Sequence, residues 1–357
     1  MVQYIYAQRI TCAGEFESRF TIAAGADNDE LIRKNASLAY NATNDEYFVV
    51  YTVDALGDQT HWEVCGRQVA WDGHWNGPEI HIFTWANRGF WYPKVPANSD
   101  RNEYLVVSDA KDTTTDKWND AAGRVVLANG TMPNYHFAIS IQDQTRQPHN
   151  AEVDYNPVSG EYLVVWDCRW TIKDSDIYGV RVDGDTGTAV NPPGKFAIDD
   201  TNVYQEDPSV AVDAQGHYLI VSVMWDPVST YHLISGRKLD ATGGLIGTHF
   251  PITGTSGIVY WPDVTVKPGT NEGLIIWEKW DETTEGVVWG ATWETSTSEG
   301  SGSPFQISPE DSGHGAVGSG PAEYLVGNSQ KNYPPLTYPI FGRLSWQVVN
   351  FLPIIMR

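Results

Sequence analysis

GEYLVVW (160–166) decides the fold, because six versions of it run through the chain. The others are DEYFVVY (45–51), NEYLVVS (102–108), GHYLIVS (216–222), NEGLIIW (271–277) and AEYLVGN (322–328). Their anchors are Tyr47, Tyr104, Tyr162, Tyr218, Gly273 and Tyr324, with spacings from 51 (273 to 324) to 58 (104 to 162). A fixed period of that length marks a repeat architecture, in which each unit buries its faces against its neighbours.

Around the type copy the unit reads as four short strands. AEVDYN (151–156) precedes the tight turn PVSG (157–160), and EYLVVW follows. A polar loop, DCRWTIKDS (167–175), leads to DIYGVRVD (176–183), and GDTGTAVNPPG (184–194) leads to KFAI (195–198). Four antiparallel strands per repeat predict an all-β fold, a β-propeller of four-stranded blades. The third strand recurs independently as YIYAQRI (4–10), EVCGRQV (63–69), DAAGRVV (120–126), DIYGVRV (176–182), HLISGRKL (232–239), VVWGATW (287–293) and PIFGRLS (339–345). Its mid-strand glycine (Gly66, Gly123, Gly179, Gly236, Gly290, Gly342; Ala7 in the first copy) points to close packing.

There are seven third strands against six first and second strands, so the chain starts inside a repeat. Six blades are favoured, with seven as the alternative. The expected domain is residues 1–349, with repeats near 36–83, 93–139, 151–198, 208–252, 262–307 and 315–349. Strands within 4–22 complete the ring, RFTI (19–22) closing the last blade and so hiding its edge. Residues 350–357 are a tail, and an upstream segment is expected to have been trimmed.

The composition agrees. Aromatic residues make up 12% of the chain, with 33 Gly and 20 Pro, which suits strands and tight turns. No stretch approaches the apolar length of a membrane span. The net charge of −22 argues against nucleic acid, whose recognition needs Lys and Arg on phosphates. Cys12, Cys65 and Cys168 are too scattered for a disulfide framework or a zinc site. Met1 to Ile10 shows no apolar signal core.

The blade phrase resembles bacterial secreted propeller repeats of unassigned role, most closely over 151–198. The tail NFLPIIMR (350–357) resembles C-terminal endings of exported proteins in chloroflexus-type bacteria. The resemblance implies an extracellular or envelope protein and no particular chemistry.

Turns between first and second strands are short, whereas connections after the second and fourth strands are long. Both long sets leave a propeller blade on one face, where functional residues concentrate. That face carries Trp85, Arg88, Trp91, Lys94, His149, Arg169, Trp170, Tyr204, Trp261 and Trp280 as candidate ligand-binding residues. Tryptophan and tyrosine offer flat surfaces for stacking on sugars; the competing reading is packing between blades, which is expected for Trp166 and Trp277. On the innermost strands, Ser37, Lys94, Glu152, Ser209, Asp263 and Ala316 share one level, and Ala39, Pro96, Asp154, Ala211, Thr265 and Gly318 share a deeper one. Glu152, Asp263 and Asp154 are the candidate catalytic carboxylates, since paired carboxylates carry glycoside hydrolysis. They also suit calcium, which takes carboxylate and carbonyl oxygens. The plain alternative is a solvated channel with a Lys94–Glu152 attraction. DGDTG (183–187) reads as turn chemistry. The nine histidines show no ligand spacing, and no common hydrolase or nucleotide motif is present.

The reading is a propeller that binds carbohydrate or an extracellular protein, with no cofactor or with Ca2+, no membrane insertion and a monomer by default. One alternative is a glycoside hydrolase or polysaccharide lyase; another is a structural repeat protein of the envelope.

Overall fold

The first two strands, β1 (Ile5–Ala7) and β2 (Phe20–Ala23), pair with each other and, among the described residues, with no further strand. Six larger antiparallel sheets follow in the computed structural model. The structure describes residues 5–7, 20–23, 31–58, 60–115, 117–133, 137–139, 147–171, 174–190, 194–201, 203–226, 231–254, 257–280, 286–294, 302–308, 312–319, 324–330, 338–344 and 353–356. Sheet one runs β3 (Arg33–Asn41), β4 (Glu46–Asp54), β5 (Trp62–Ala70), β6 (Ile80–Phe83). Sheet two contains β7 (Arg88–Lys94), β8 (Ala97–Asn98), β9 (Glu103–Asp112), β10 (Lys117–Leu127) and β11 (Phe137–Ala138), with β7 and β8 both on β9. Sheet three runs β12 (Gln147–Asn156), β13 (Glu161–Thr171), β14 (Asp174–Asp183), β15 (Lys195–Asp199). Sheet four runs β16 (Tyr204–Val212), β17 (Tyr218–Asp226), β18 (Tyr231–Leu239), β19 (Leu245–Pro251). Sheet five runs β20 (Ile258–Val266), β21 (Glu272–Trp280), β22 (Val287–Glu294), β23 (Phe305–Gln306). Sheet six runs β24 (Ser312–Ser319), β25 (Tyr324–Gln330), β26 (Tyr338–Leu344), β27 (Pro353–Met356). These are the blades of a β-propeller, as the repeat predicts.

The chain divides into two compact units, residues 1–164 with 180–196, and residues 165–179 with 197–357. Within each, the core lies between successive sheets. In the first unit Phe48, Ile82 and Phe83 meet Phe90, Tyr104 and Val106 of the next sheet. In the second, Val221, Ile234 and Phe250 meet Val264, Trp277 and Trp293. The alternating residues of a strand supply both faces, so a sheet within a unit packs on its neighbours through either side. Trp166 and Trp277 are core residues, 0% and 3% exposed.

The recurring glycine is a packing requirement. A methyl group on Gly236 would lie 2.3 Å from the Phe250 ring, and one on Gly123 2.7 Å from Phe137. The same pairing identifies β1 and β2: Ala7 faces Phe20 as Gly123 faces Phe137 and Gly236 faces Phe250. They are thus a third and a fourth strand, packed on sheet one through Ile5 and Ile22 against Val49, Tyr51 and Cys65.

Three expectations change. The segment RFTI does not close the last blade, because its Phe20, Thr21 and Ile22 lie in β2, which pairs with β1. The outer strand of sheet six comes from the expected tail instead, with Phe341 opposite Pro353 and Tyr338 opposite Met356. The apolar run PIIM has strand character, and pairing with a strand close in sequence costs less loop entropy than recruiting a distant one. The loop expected at 167–175 is mostly strand, since β13 runs to Thr171. Asp167 and Cys168 are each 2% exposed there, so polarity hid an extension of the buried ladder.

Every inner strand described pairwise carries a bulge at one level. The ladder skips two residues between Lys34 and Ser37, Trp91 and Lys94, Glu206 and Ser209, Tyr260 and Asp263, and Gly313 and Ala316. The first skipped residue is left-handed in four of these, Asn35 (φ 54°), Tyr92 (52°), Asp207 (51°) and Trp261 (46°), and Asn150 (53°) holds the matching place on β12. Asparagine and aspartate adopt this conformation with little strain, but tyrosine and tryptophan are held there by their surroundings. Pro93, Pro208 and Pro262 come next, where the bulge asks for no ladder N–H. After the bulge, Ser37, Lys94, Ser209, Asp263 and Ala316 pair with Val50, Val107, Val221, Ile276 and Gly327, so the shared level read from sequence is real.

Candidate functional site

In the second unit an aromatic row crosses the ends of sheet four beside its long connections. Tyr204, Trp225 and His232 are direct cross-strand neighbours on β16, β17 and β18. Ring centroids are 5.7 Å apart at Tyr204–Trp225 and 5.7 Å at Trp225–His232. The row passes to sheet five, with Tyr260 edge-on to His232 at 5.2 Å and Trp261 5.5 Å beyond. Arg169 closes the other end, 5.5 Å over Tyr204. Tyr204 is buried, the middle three rings are half-buried, and Trp261 is 37% exposed.

Glu206 sits beside this row, half-buried on β16. Burial pushes its carboxyl above the usual range, against the pull of the Arg169 charge and a hydrogen bond with Tyr204. Burial and the Glu206 charge raise Tyr204 to about 12. Tyr260 is raised by burial, then by Glu206 and Asp207. Burial lowers His232, opposed by a hydrogen bond with the Val259 backbone, so the ring stays neutral near pH 7. The result is a neutral aromatic wall, a cation at one end and a carboxyl that holds its proton more readily than usual. Such a wall suits stacking on an apolar sugar face, with polar tips to orient it.

The carboxylates expected at the channel are engaged. Glu152 pairs with Lys94. Asp154 accepts a hydrogen bond from the Tyr155 N–H at 2.8 Å. Asp263 joins three inner strands: Oδ1 accepts from Ser209 Oγ at 2.8 Å and its neighbour Val264 N–H at 2.9 Å, and Oδ2 accepts from Val317 N–H at 2.9 Å. Asp109 does similar work in the first unit, taking Asn150 and Ala151 N–H at 2.9 and 3.0 Å. DGDTG is a turn, with Asp183 Oδ1 accepting from Asp185 N, Thr186 N and Thr186 Oγ1.

The other candidates fall in separate places. In the first unit Arg88 lies 5.0 Å over exposed Trp85 and 3.6 Å from Asp120. Trp91 is half-buried over Gly89 and 6.4 Å from Trp62. His149 is half-buried on β12, and Trp280 is half-buried at the end of β21. The Trp170 side chain lies outside the described residues. Of the expected set, Arg169, Tyr204 and Trp261 come together in the row. His232 was missed as a site residue. Its signal was hairpin arithmetic: partners in β17 and β18 sum to 457, which places residue 232 opposite Trp225.

No protein-family model and no curated protein sequence matches this chain. Solved structures do match. One is a protein of unknown function from Dyadobacter fermentans, with TM-score 0.63 and 10% identity, covering 89% of this chain and 95% of that one. A Hadza microbial sialidase gives TM-score 0.55 and 10% identity over 83% of this chain, which spans 63% of the sialidase's length. An endo-arabinase from Bacteroides thetaiotaomicron gives TM-score 0.45 and 13% identity, over 71% of this chain and 92% of that one. At such identities the likeness speaks for the fold.

Proposed function

We propose that the protein recognises carbohydrate, and that the aromatic row of its second unit holds the sugar. The observation that carries this reading is the unbroken contact path Tyr204–Trp225–His232–Tyr260–Trp261 with Arg169 at its end. Buried aromatics alone would serve packing, but this row emerges into solvent at Trp261, and a bulge aims that residue. A flat aromatic wall on an acidic protein suits a neutral polysaccharide better than a small polar metabolite. The same reading puts the protein at the cell surface or outside the cell. The test is saccharide titration followed by tryptophan fluorescence, with a glycan array to choose ligands. Binding that survives Trp225→Ala and Trp261→Ala together would refute this placement.

A second reading, glycoside hydrolysis, is favoured by one observation. Glu206 has the raised carboxyl that a general acid needs, next to the wall where a sugar would lie. Asp263 is the further carboxylate of the same unit for it. Turnover of aryl glycosides or polysaccharide that is lost in Glu206→Gln, with binding kept, would turn the binding protein into an enzyme.

A further inference from the structure

The edge of sheet one brings together three side chains that sequence spacing leaves apart. Cys65 and His81 are cross-strand partners on β5 and β6, and Glu63 lies two residues before Cys65, on the same face of the strand. The Cys65 Sγ to His81 Nδ1 distance is 3.6 Å, and His81 Nδ1 to Glu63 Oε2 is 3.3 Å. One donor atom from each residue lies within 4.8 Å of the other two. Zinc bonds of about 2.3 Å to sulfur and about 2.0 to 2.2 Å to nitrogen and oxygen, set at tetrahedral angles, require edges of about 3.6 Å and about 3.4 Å. The two spacings that His81 makes match those edges before any ion is added, and the sulfur-to-carboxylate edge lies within 4.8 Å.

We propose that Glu63, Cys65 and His81 form a site for a borderline-soft divalent cation, zinc above all, with a fourth position open to solvent. The donor set selects the metal: sulfur and imidazole favour zinc over calcium or magnesium, which take oxygen alone. His81 is exposed, with a side-chain accessibility of 60%, and provides the entry path. Cys65 is buried on the inner side of the cluster, so the ion would be reached from the exposed His81 side. Binding forms the thiolate–metal bond and releases the thiol proton to solvent. Tyr51 donates to Glu79 Oε2 at 2.5 Å, and Arg67 lies 3.8 Å from the same oxygen, which fixes that carboxylate behind the ligands. This site is independent of the aromatic row in the second unit.

The test uses the full-length, tag-free chain after chelation and desalting, titrated with Co2+ and then with Zn2+. The expected result is one equivalent of cobalt with a thiolate-to-cobalt charge-transfer band and the ligand-field bands of a four-coordinate ion. Zinc should displace it and raise the melting temperature. His81→Ala alters an exposed residue and should fold, yet weaken cobalt binding by about tenfold or more, given that even indirect partners of a metal act on that scale. Cys65→Ser should abolish the band. The proposal fails if cobalt binds without the band, if the band persists in Cys65→Ser, or if His81→Ala leaves affinity unchanged.

Discussion

Replacing Asp263 tests whether an inner-strand carboxylate is structural or chemical. Its two oxygens accept from Ser209, Val264 and Val317, three donors on three successive inner strands. Asp263→Ala leaves all three without this acceptor. At about 1 kcal/mol for each lost hydrogen bond, the ordinary net value and below that of a fully buried charged acceptor, the loss is about 3 kcal/mol. Asp263→Asn keeps one carbonyl oxygen for Ser209 and Val264 and turns an amide N–H toward the Val317 N–H. One bond is lost and two donors face each other, so the expected loss is about 1–3 kcal/mol, smaller than for alanine. For a unit of this size each kcal/mol lowers the midpoint by about 2–4 °C, so alanine should melt about 6–12 °C early. The assay is a circular-dichroism melt with urea midpoints, alongside Ser209→Ala and the double variant. Ser209 shares the network, and the double variant should lose less than the sum of the singles. If both Asp263 variants stay within about 0.5 kcal/mol of the parent, the range of an ordinary surface change, the stitching argument is wrong. Activity lost without stability would then return Asp263 to the catalytic reading.

Gly236→Ala should cost about 1–3 kcal/mol as an overpacked contact, measured by urea midpoint, and Phe250→Leu in the same chain should restore part of it. Trp261→Ala should leave the melting temperature unchanged while weakening saccharide binding about twofold to tenfold in a fluorescence titration. Asp109 is raised to about 6 by burial in the folded state, with Asn150 and Ala151 N–H and Lys94 pulling it down. Its folded value lies above the unfolded one, so the native state binds more protons between the two and stability falls as pH rises from about 4 to about 6. Melting curves of Asp109→Asn should lack that slope relative to the parent. Asp112 is held down to about 2 by Thr114 and Thr115 hydrogen bonds, so its contribution has the opposite sign, present above about 4 and lost as pH falls toward about 2.

Repeat and register were legible because they are local. The phrase around Tyr162 fixes a buried strand, and the glycine of DIYGVRV fixes the strand beside it. The level of Lys94, Glu152 and Asp263 followed from counting alone. The bulge at Tyr92, Asn150 and Trp261 was not read, because only its backbone angle distinguishes it, although the proline after two of them was in view. Polarity misled at DCRWT, where Asp167 is polar and yet buried. Chain ends misled at PIIM, where strand character outweighed the look of a tail. Cys65 and His81 stand sixteen residues apart on two strands, a distance that metal-spacing rules built on helices and turns do not cover.

The left-handed kink within five of the inner strands has an evolutionary consequence. Its residue is Asn, Tyr, Asn, Asp or Trp in the five blades where the angle is positive, and no ladder partner depends on which. Mutation can therefore exchange the presented group blade by blade while the hydrogen-bonded frame stays in register. One scaffold gains a set of interchangeable sockets, and grafting a new specificity onto it means replacing single residues at 35, 92, 150, 207 and 261.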